Sequence, residues 1–303
     1  MGKNKVATSA PGKLLLLGDH AVVYGYPCLV TAVNYRVFVE VSLSDRDEFI
    51  FPEGNGNNFI QTALELFREK FNKTQSLQIK TWASYKESYG LGSSSAVTVA
   101  FVKALSEIFS IPLSKKQLFD LCYEVVLKVQ TVGSGFDIAA AIYGGSLYFV
   151  TGGAKIEQLT INEIPLIVAH SGSKGNTSEL VKKVAKLKKD TTRVDELFMS
   201  VEMIVDDAKD WLLAKNFKGF GHYMDQYHSI LQKLGVSTSK LDLLVETART
   251  AGAYGAKLSG AGGGDCIIAI ASPDNKETVE KALEKAGGKV LNVKTNEEGV
   301  RIE

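Results

Sequence analysis

Glycines concentrate at three places in this 303-residue chain: 90–92, 133–135 and 260–264. Gly90-Leu91-Gly92-Ser93-Ser94-Ser95 opens a segment of helical pattern. Amides at a helix start lack intrahelical partners and, with the dipole, favour a phosphate. The hydroxyls of Ser93, Ser94 and Ser95 would then reach phosphate oxygens or a metal. Gly260-Ala261-Gly262-Gly263-Gly264 lies between two β-like runs, Ala253–Ser259 and Cys266–Ala271. Backbone N–H groups in such a run can approach an anion with no Cβ in the way. One glycine loop alone reads as a turn; two, one of them at a helix start, point to a nucleoside triphosphate. The common nucleotide signatures (GxxxxGK[ST], GxGxxG with a later acid, HRD and DFG) are absent.

Lys13 follows Ala10-Pro11-Gly12 at the head of an apolar run, where an ammonium has to leave the core or meet a charged partner. Asp137 follows Gly133-Ser134-Gly135-Phe136 and precedes small residues, a place where the helix dipole favours a carboxylate. As a pair they would supply acid–base chemistry and charge stabilisation; singly they read as a surface lysine and a helix cap. Asp19-His20 sits in a turn between apolar runs, which makes His20 a candidate substrate donor. His170, His222 and His228 lack metal-ligand spacing and read as structural or exposed. Lys182, Lys183, Lys186, Lys188 and Lys189 form a basic run on a helix expected to start near Asn176, with Glu179 at a capping-box position. A solvated face accounts for that run, and an extra anion site is its alternative.

These residues need elements to hold them. Lys13–Leu17, Cys28–Val33, the alternating Arg36–Leu43 and Leu77–Ala83 read as strands. Phe59–Phe71 has helical spacing after a loop at 53–58, and helices are expected from Ser93 to about Ser110 and, capped by Ser114, to about Val129. Strand Ser146–Val150 leads to the turn Thr151-Gly152-Gly153-Ala154, and the chain is divided there into domains 1–153 and 154–303. The second half reads as strand Leu166–Ala169, long helices to about Leu234, a helix near Leu241–Ala251, the glycine turn, a last helix (Lys276–Ala286) and strand Lys289–Val293. The class is α+β.

Composition narrows the functions. Thirty-five Lys+Arg against 34 Asp+Glu give a net charge of +1, so no basic field exists to hold nucleic acid or an anionic membrane. Three scattered cysteines (Cys28, Cys122, Cys266) rule out a disulfide framework or zinc cluster of usual spacing. The polar start lacks a secretory pattern, and Val6 stands where myristoylation wants Ser or Thr. The longest apolar runs, Leu14–Leu17 and Cys266–Ala271, are far below the ~20 residues of a membrane span. A cytoplasmic protein with a small-molecule substrate is expected.

Ala10-Pro-Gly-Lys13, Gly90-Leu-Gly-Ser-Ser94 and Ser259-Gly-Ala-Gly-Gly-Gly264 resemble the three ordered motifs of the GHMP kinase superfamily, and the match covers nearly the whole chain. The resemblance implies an N-terminal domain like the second domain of ribosomal protein S5 and a ferredoxin-like C-terminal domain. It also implies ATP and Mg²⁺, a homodimer among the permitted assemblies, and no nucleic-acid or membrane partner. Tyr89, Gly90, Leu91, Gly92, Ser93, Ser94, Ser95, Gly260, Ala261, Gly262, Gly263 and Gly264 would bind ATP, and Ser94 would hold the metal. Lys13 and Asp137 would be catalytic. Asp19, His20, Tyr24, Ser134 and Lys174 would bind the substrate, with Lys86 and Lys128 as further cations for an anionic acceptor.

Within the mevalonate-pathway branch, Gly18–Gly25 and Ala251–Leu258 resemble mevalonate kinases. Segments 89–99, 133–144 and Ser259–Cys266 are similar to phosphomevalonate kinases, with Asp265 where mevalonate kinases usually carry Gly. Val126 occupies the place of the metal-binding Glu of mevalonate kinases. Mevalonate's hydroxyl needs a base and a well-placed metal, whereas a phosphate acceptor is already largely ionised. The expectation is therefore ATP-dependent phosphorylation of (R)-5-phosphomevalonate. Mevalonate kinase is the alternative, and a noncatalytic binding protein of the same fold the remote one.

Overall fold

A computed structural model of the chain describes residues 4–51, 57–85 and 89–303. Lys86, Met1, Gly2 and most of the loop expected at 53–58 lie outside the described residues.

The elements run β1 (Lys5–Leu17), β2 (Cys28–Leu43), β3 (Glu48–Ile50), α1 (Asn57–Phe71) and β4 (Leu77–Ala83). Then come α2 (Ser93–Ile108), α3 (Lys115–Gln130), α4 (Phe136–Tyr143), β5 (Ser146–Val150), β6 (Lys155–Leu159) and β7 (Leu166–His170). The remainder is α5 (Thr177–Asp190), α6 (Arg193–Leu213), α7 (Phe217–Lys233), α8 (Ser239–Thr250), β8 (Gly255–Ser259), β9 (Cys266–Ile270), α9 (Pro273–Lys285), β10 (Lys289–Leu291) and β11 (Arg301–Ile302). The mixed α+β content agrees with the expected class.

Two compact units are built from discontinuous segments. The first comprises Met1–Lys13, Ala32–Gly145 and Glu297–Glu303; the second comprises Leu14–Thr31 and Ser146–Asn296. The 153/154 position expected as a domain boundary falls inside the second unit.

In the first unit the strand order is β11-β1-β2-β4-β3. β2 and β4 pair antiparallel from Val37↔Ala83 to Leu43↔Leu77, which sets every second residue on the helix side. Val37, Val39 and Val41 are accordingly buried on that side. Helices α1, α2, α3 and α4 pack against one another around Phe67, Phe101 and Phe119, each fully buried. α3 starts at a reciprocal capping box between Ser114 and Gln117, as its sequence predicts.

The runs Cys28–Val33 and Arg36–Leu43 form one strand rather than two. What bridges them is Arg36, whose guanidinium donates to Ser9 Oγ (2.8 Å), Ser9 O (3.0 Å), Glu298 O (2.8 Å) and Gly299 O (2.9 Å). A buried charge with four acceptors, so that each of its three nitrogens is hydrogen-bonded, can lie in a strand.

In the second unit Cys28–Thr31 of β2 pairs antiparallel with β5, and β5 with β6. A separate antiparallel sheet has the order β10-β7-β9-β8. α7 and α8 pack on β8, and α9 packs on β7 and β10. β9 (Cys-Ile-Ile-Ala-Ile) is buried along its length, which accounts for a continuous apolar run in place of alternation. No helix among the described residues is long and apolar enough to cross a membrane.

Candidate active site

In the first unit α2 begins after Gly92, which has φ 83° and serves as N-cap without a side-chain cap. No acidic residue occupies the first turn, so the amides and dipole of this helix start are available to an anion. Lys13 is fixed beside it: its amide donates to Leu91 O at 2.8 Å and its Nζ to Gly90 O at 3.4 Å. A Cβ on Gly92 would lie 3.0 Å from Lys13 Cε and 3.1 Å from its Cγ. Glycine is thus needed there for backbone hand and for room. The Lys13 ammonium also lies 5.5 Å from the centre of the Phe136 ring.

Phe136 and Asp137 open α4, whose N-cap is Gly135. Asp137 is half-buried; its Oδ1 accepts from the Ile138 amide at 3.1 Å and its Oδ2 from Ser95 Oγ at 2.6 Å. Ser95 is buried, while Ser93 and Ser94 are half-buried. The structure therefore brings Lys13, Gly90–Gly92, Ser95 and Asp137 into one neighbourhood. Ser134 is buried next to the α4 cap, and Tyr89 is buried edge-on to Tyr35 at 6.0 Å. Lys128 lies apart: it is exposed and pairs with Glu124 at 3.7 Å along α3.

In the second unit the turn after β1 is clamped to the glycine-rich strand end. Asp19 and Lys257, both fully buried, form an ion pair of 2.8 Å. Asp19 Oδ1 accepts from the Gly260 amide at 2.6 Å, and Tyr227 OH donates to Asp19 O at 2.6 Å. Ser259 Oγ donates to Leu15 O at 2.9 Å. His20 Nε2 meets Ala261 O at 2.9 Å, so that nitrogen carries the proton and Nδ1 is left as the acceptor. Burial pushes His20 below its ordinary range, which keeps the ring neutral at pH 7. Tyr24 stacks on Phe198 at 5.3 Å beneath the Lys188 ammonium, 5.7 Å from the ring centre. Lys188 in turn pairs with Asp195, so this member of the basic run is engaged within the unit.

The Gly260–Gly264 loop packs backbone to backbone with residues 173–175. A Cβ on Gly262 would lie 2.1 Å from Val236 O, and one on Gly175 would lie 2.3 Å from Gly262 O. Close approach accounts for glycine at these positions. Lys174, in the facing loop, is exposed. Among the remaining histidines, His228 is buried between Asp242 (3.1 Å) and the Leu258 amide (3.4 Å). Its burial, aided by the Arg249 charge, pulls its pKa to about 4. His222 is exposed and bonded to Gln226. No group of three or more His, Cys, Asp or Glu among the described residues could hold a metal ion.

Sequence reasoning missed Lys257 and Tyr227. Lys257 carried a signal, a lone charge in the apolar run Ala-Lys-Leu directly before the glycines; its partner is far away in sequence. Breaking a buried pair on one side costs about 3–5 kcal/mol, because the other charge stays buried. Lys257→Met should therefore lower the urea midpoint by an amount equivalent to that loss. Adding Asp19→Leu to it should recover part of the stability, and a Lys257→Met variant as stable as the wild type would contradict the pairing.

The GHMP kinases N terminal domain family matches residues 58–145, and the GHMP kinases C terminal family matches residues 209–289. A mevalonate kinase of Thermococcus gammatolerans is 34% identical, with 99% of this chain and 98% of that protein covered. One of Pyrococcus horikoshii is 35% identical, with 98% of each covered. Among solved structures, the mevalonate kinase of Methanococcus jannaschii superposes with a TM-score of 0.79 at 27% identity, covering 95% of this chain and 98% of that one. The phosphomevalonate kinase of Streptococcus pneumoniae has a TM-score of 0.85 at 20% identity, covering 97% and 100%, which is a likeness of fold alone.

These relatives overturn the expectation of a phosphomevalonate kinase. Besides the segments 89–99, 133–144 and 259–266, two single residues pointed to it, and these two, Asp265 and Val126, answer to backbone geometry and packing. Asp265 has φ 57°, a left-handed conformation that Gly and Asp both adopt, so the position selects for the turn. Val126 is 2% exposed and lies against Gly133, a packing position between α3 and the turn that leads into α4. With both domain families matched in order and full-length relatives at a third identity, the chain belongs to the GHMP kinases, ATP-dependent enzymes that phosphorylate a small molecule.

Proposed function

We propose that this kinase transfers the γ-phosphoryl group of MgATP to the 5-hydroxyl of (R)-mevalonate. The observation that carries the reading is the name shared by relatives 34–35% identical over 98–99% of the chain, mevalonate kinase. The residues a hydroxyl acceptor requires are present. Phosphoryl transfer rests on positioning and charge neutralisation, and a hydroxyl nucleophile adds the need for a base.

In this reading the backbone amides at the open start of α2, Gly90–Ser95, take the ATP phosphates, with Tyr89 and the Leu91 side chain behind them. Lys13 offsets the charge that builds up on the transferring group. Asp137 takes the proton of the mevalonate hydroxyl as its oxygen attacks the γ-phosphorus and ADP leaves. Asp19, buried against Lys257 and the Gly260 amide, fixes the turn that carries His20 and so acts on the substrate through it. His20, Tyr24, Ser134 and Lys174 hold mevalonate, His20 as a neutral imidazole and Lys174 as the cation for the carboxylate. Gly260–Gly264 serves the nucleotide.

Mg²⁺ enters with ATP as part of the substrate. The hard oxygen donors near the α2 start, the Ser94 hydroxyl foremost, suit an ion that keeps several waters and leans on phosphate oxygens. With the metal carried on phosphates, a carboxylate at position 126 is not a requirement, and Val126 there is compatible with a mevalonate acceptor.

Incubation with MgATP and mevalonate, followed by phosphorus NMR, tests the proposal. A new phosphomonoester resonance in step with ADP is expected. Its absence under conditions where ATP binds would overturn the reading.

A further inference from the structure

We propose that Ser95 is a positioning residue for Asp137, holding the carboxylate aimed at the acceptor hydroxyl; this rests on the proposed role of Asp137 as base. The run Ser93-Ser94-Ser95 offers three hydroxyls, and only the third is buried, at 4% exposure. Its Oγ–H is directed at Asp137 Oδ2 across 2.6 Å, within the range of a charge-assisted O–H···O⁻ bond.

Geometry gives that bond a particular consequence. An aspartate side chain has two free torsions, and one hydrogen bond leaves the carboxylate free to swing. Here each oxygen is held separately, Oδ1 by the Ile138 amide at 3.1 Å and Oδ2 by Ser95 at 2.6 Å. The first anchor belongs to α4 itself; the second comes from the opening turn of α2. Ser95 thus ties the base to the helix start that receives the phosphates, so the distance between base and phosphate site is set by two packed helices. Misplacing a reacting group by about 1 Å can lower a rate by 10²-fold. A phosphate-binding role for the same hydroxyl conflicts with this, because the hydroxyl has one proton and Asp137 holds it.

The two roles separate in kinetics. Ser95→Ala keeps a helix-compatible residue and should leave the melting temperature within a few degrees. It should lower kcat by roughly ten- to a hundredfold with the KM for ATP changed less than about twofold. Ser95→Thr, which restores the hydroxyl, should recover much of the rate. The decisive comparison adds Ser95→Ala to Asp137→Asn: the double variant should turn over no more slowly than Asp137→Asn alone. Wild-type kcat for Ser95→Ala, a raised KM for ATP with kcat unchanged, or an undiminished effect in the Asp137→Asn background would each overturn the inference. If Asp137→Asn itself keeps wild-type turnover, the assignment of the base fails first and the role of Ser95 falls with it.

Discussion

Replacing Lys13 with Met should lower kcat roughly a thousandfold while the protein stays folded. The residue is held at three points: its backbone amide donates to Leu91 O, its stem lies on Gly92, and its ammonium rests between Gly90 O and the Phe136 ring. Methionine fills nearly the same volume and removes only the charge. A group whose work is to meet charge that develops on the transferring phosphoryl should lose kcat more than substrate affinity. Coupled ADP-release kinetics with saturating MgATP and mevalonate would measure it. Turnover within tenfold of the wild type would show that Lys13 does not stabilise the transition state.

Asp137→Asn should lower kcat by about 10²–10⁴, the usual contribution of a general base. The amide oxygen can keep the Ile138 bond while the amide NH₂ donates to Ser95 Oγ, which accepts as well as donates, so the local fold survives, but the side chain can no longer take a proton. A hydroxyl acceptor makes that loss severe, because the nucleophile has no charge of its own. A phosphate acceptor would make it mild, since the oxygen that attacks is already ionised near neutral pH. The size of the Asp137→Asn effect therefore reports on the acceptor as well as on the residue, and a drop of less than tenfold would contradict the proposed chemistry.

Much of this arrangement was legible in the chain. Position and composition of the α2 glycine loop, the lysine after Ala-Pro-Gly and the aspartate after Gly-Ser-Gly-Phe identify the parts that the first unit assembles. Ser114 and Gln117 announce the start of α3, and the alternation of Arg36–Leu43 gives the buried face of β2. What stayed hidden depends on contacts between distant segments. Nothing in Ser93-Ser94-Ser95 says which hydroxyl turns inward; the packing of α2 against α4 decides it. Lys257 cannot be matched to Asp19 by spacing, because β8 must first be laid beside the turn at 18–20.

Backbone conformation was hidden too, and it misled. Asp265 looked like a marker of substrate, but its φ of 57° makes it a turn residue whose amide donates to Ser173 O at 2.8 Å. Val126 looked like a lost metal ligand, and it fills a contact with Gly133. β6 and β11 escaped because each is short and gains its identity from a partner strand, β5 and β1 respectively.

The measurement that bears most directly on the account is ADP release with MgATP and either mevalonate or 5-phosphomevalonate, run side by side on the same preparation. A kcat/KM for mevalonate at least about a hundredfold above that for 5-phosphomevalonate is the predicted result. Preference for 5-phosphomevalonate would contradict it and return the decision to residues 89–99, 133–144 and 259–266.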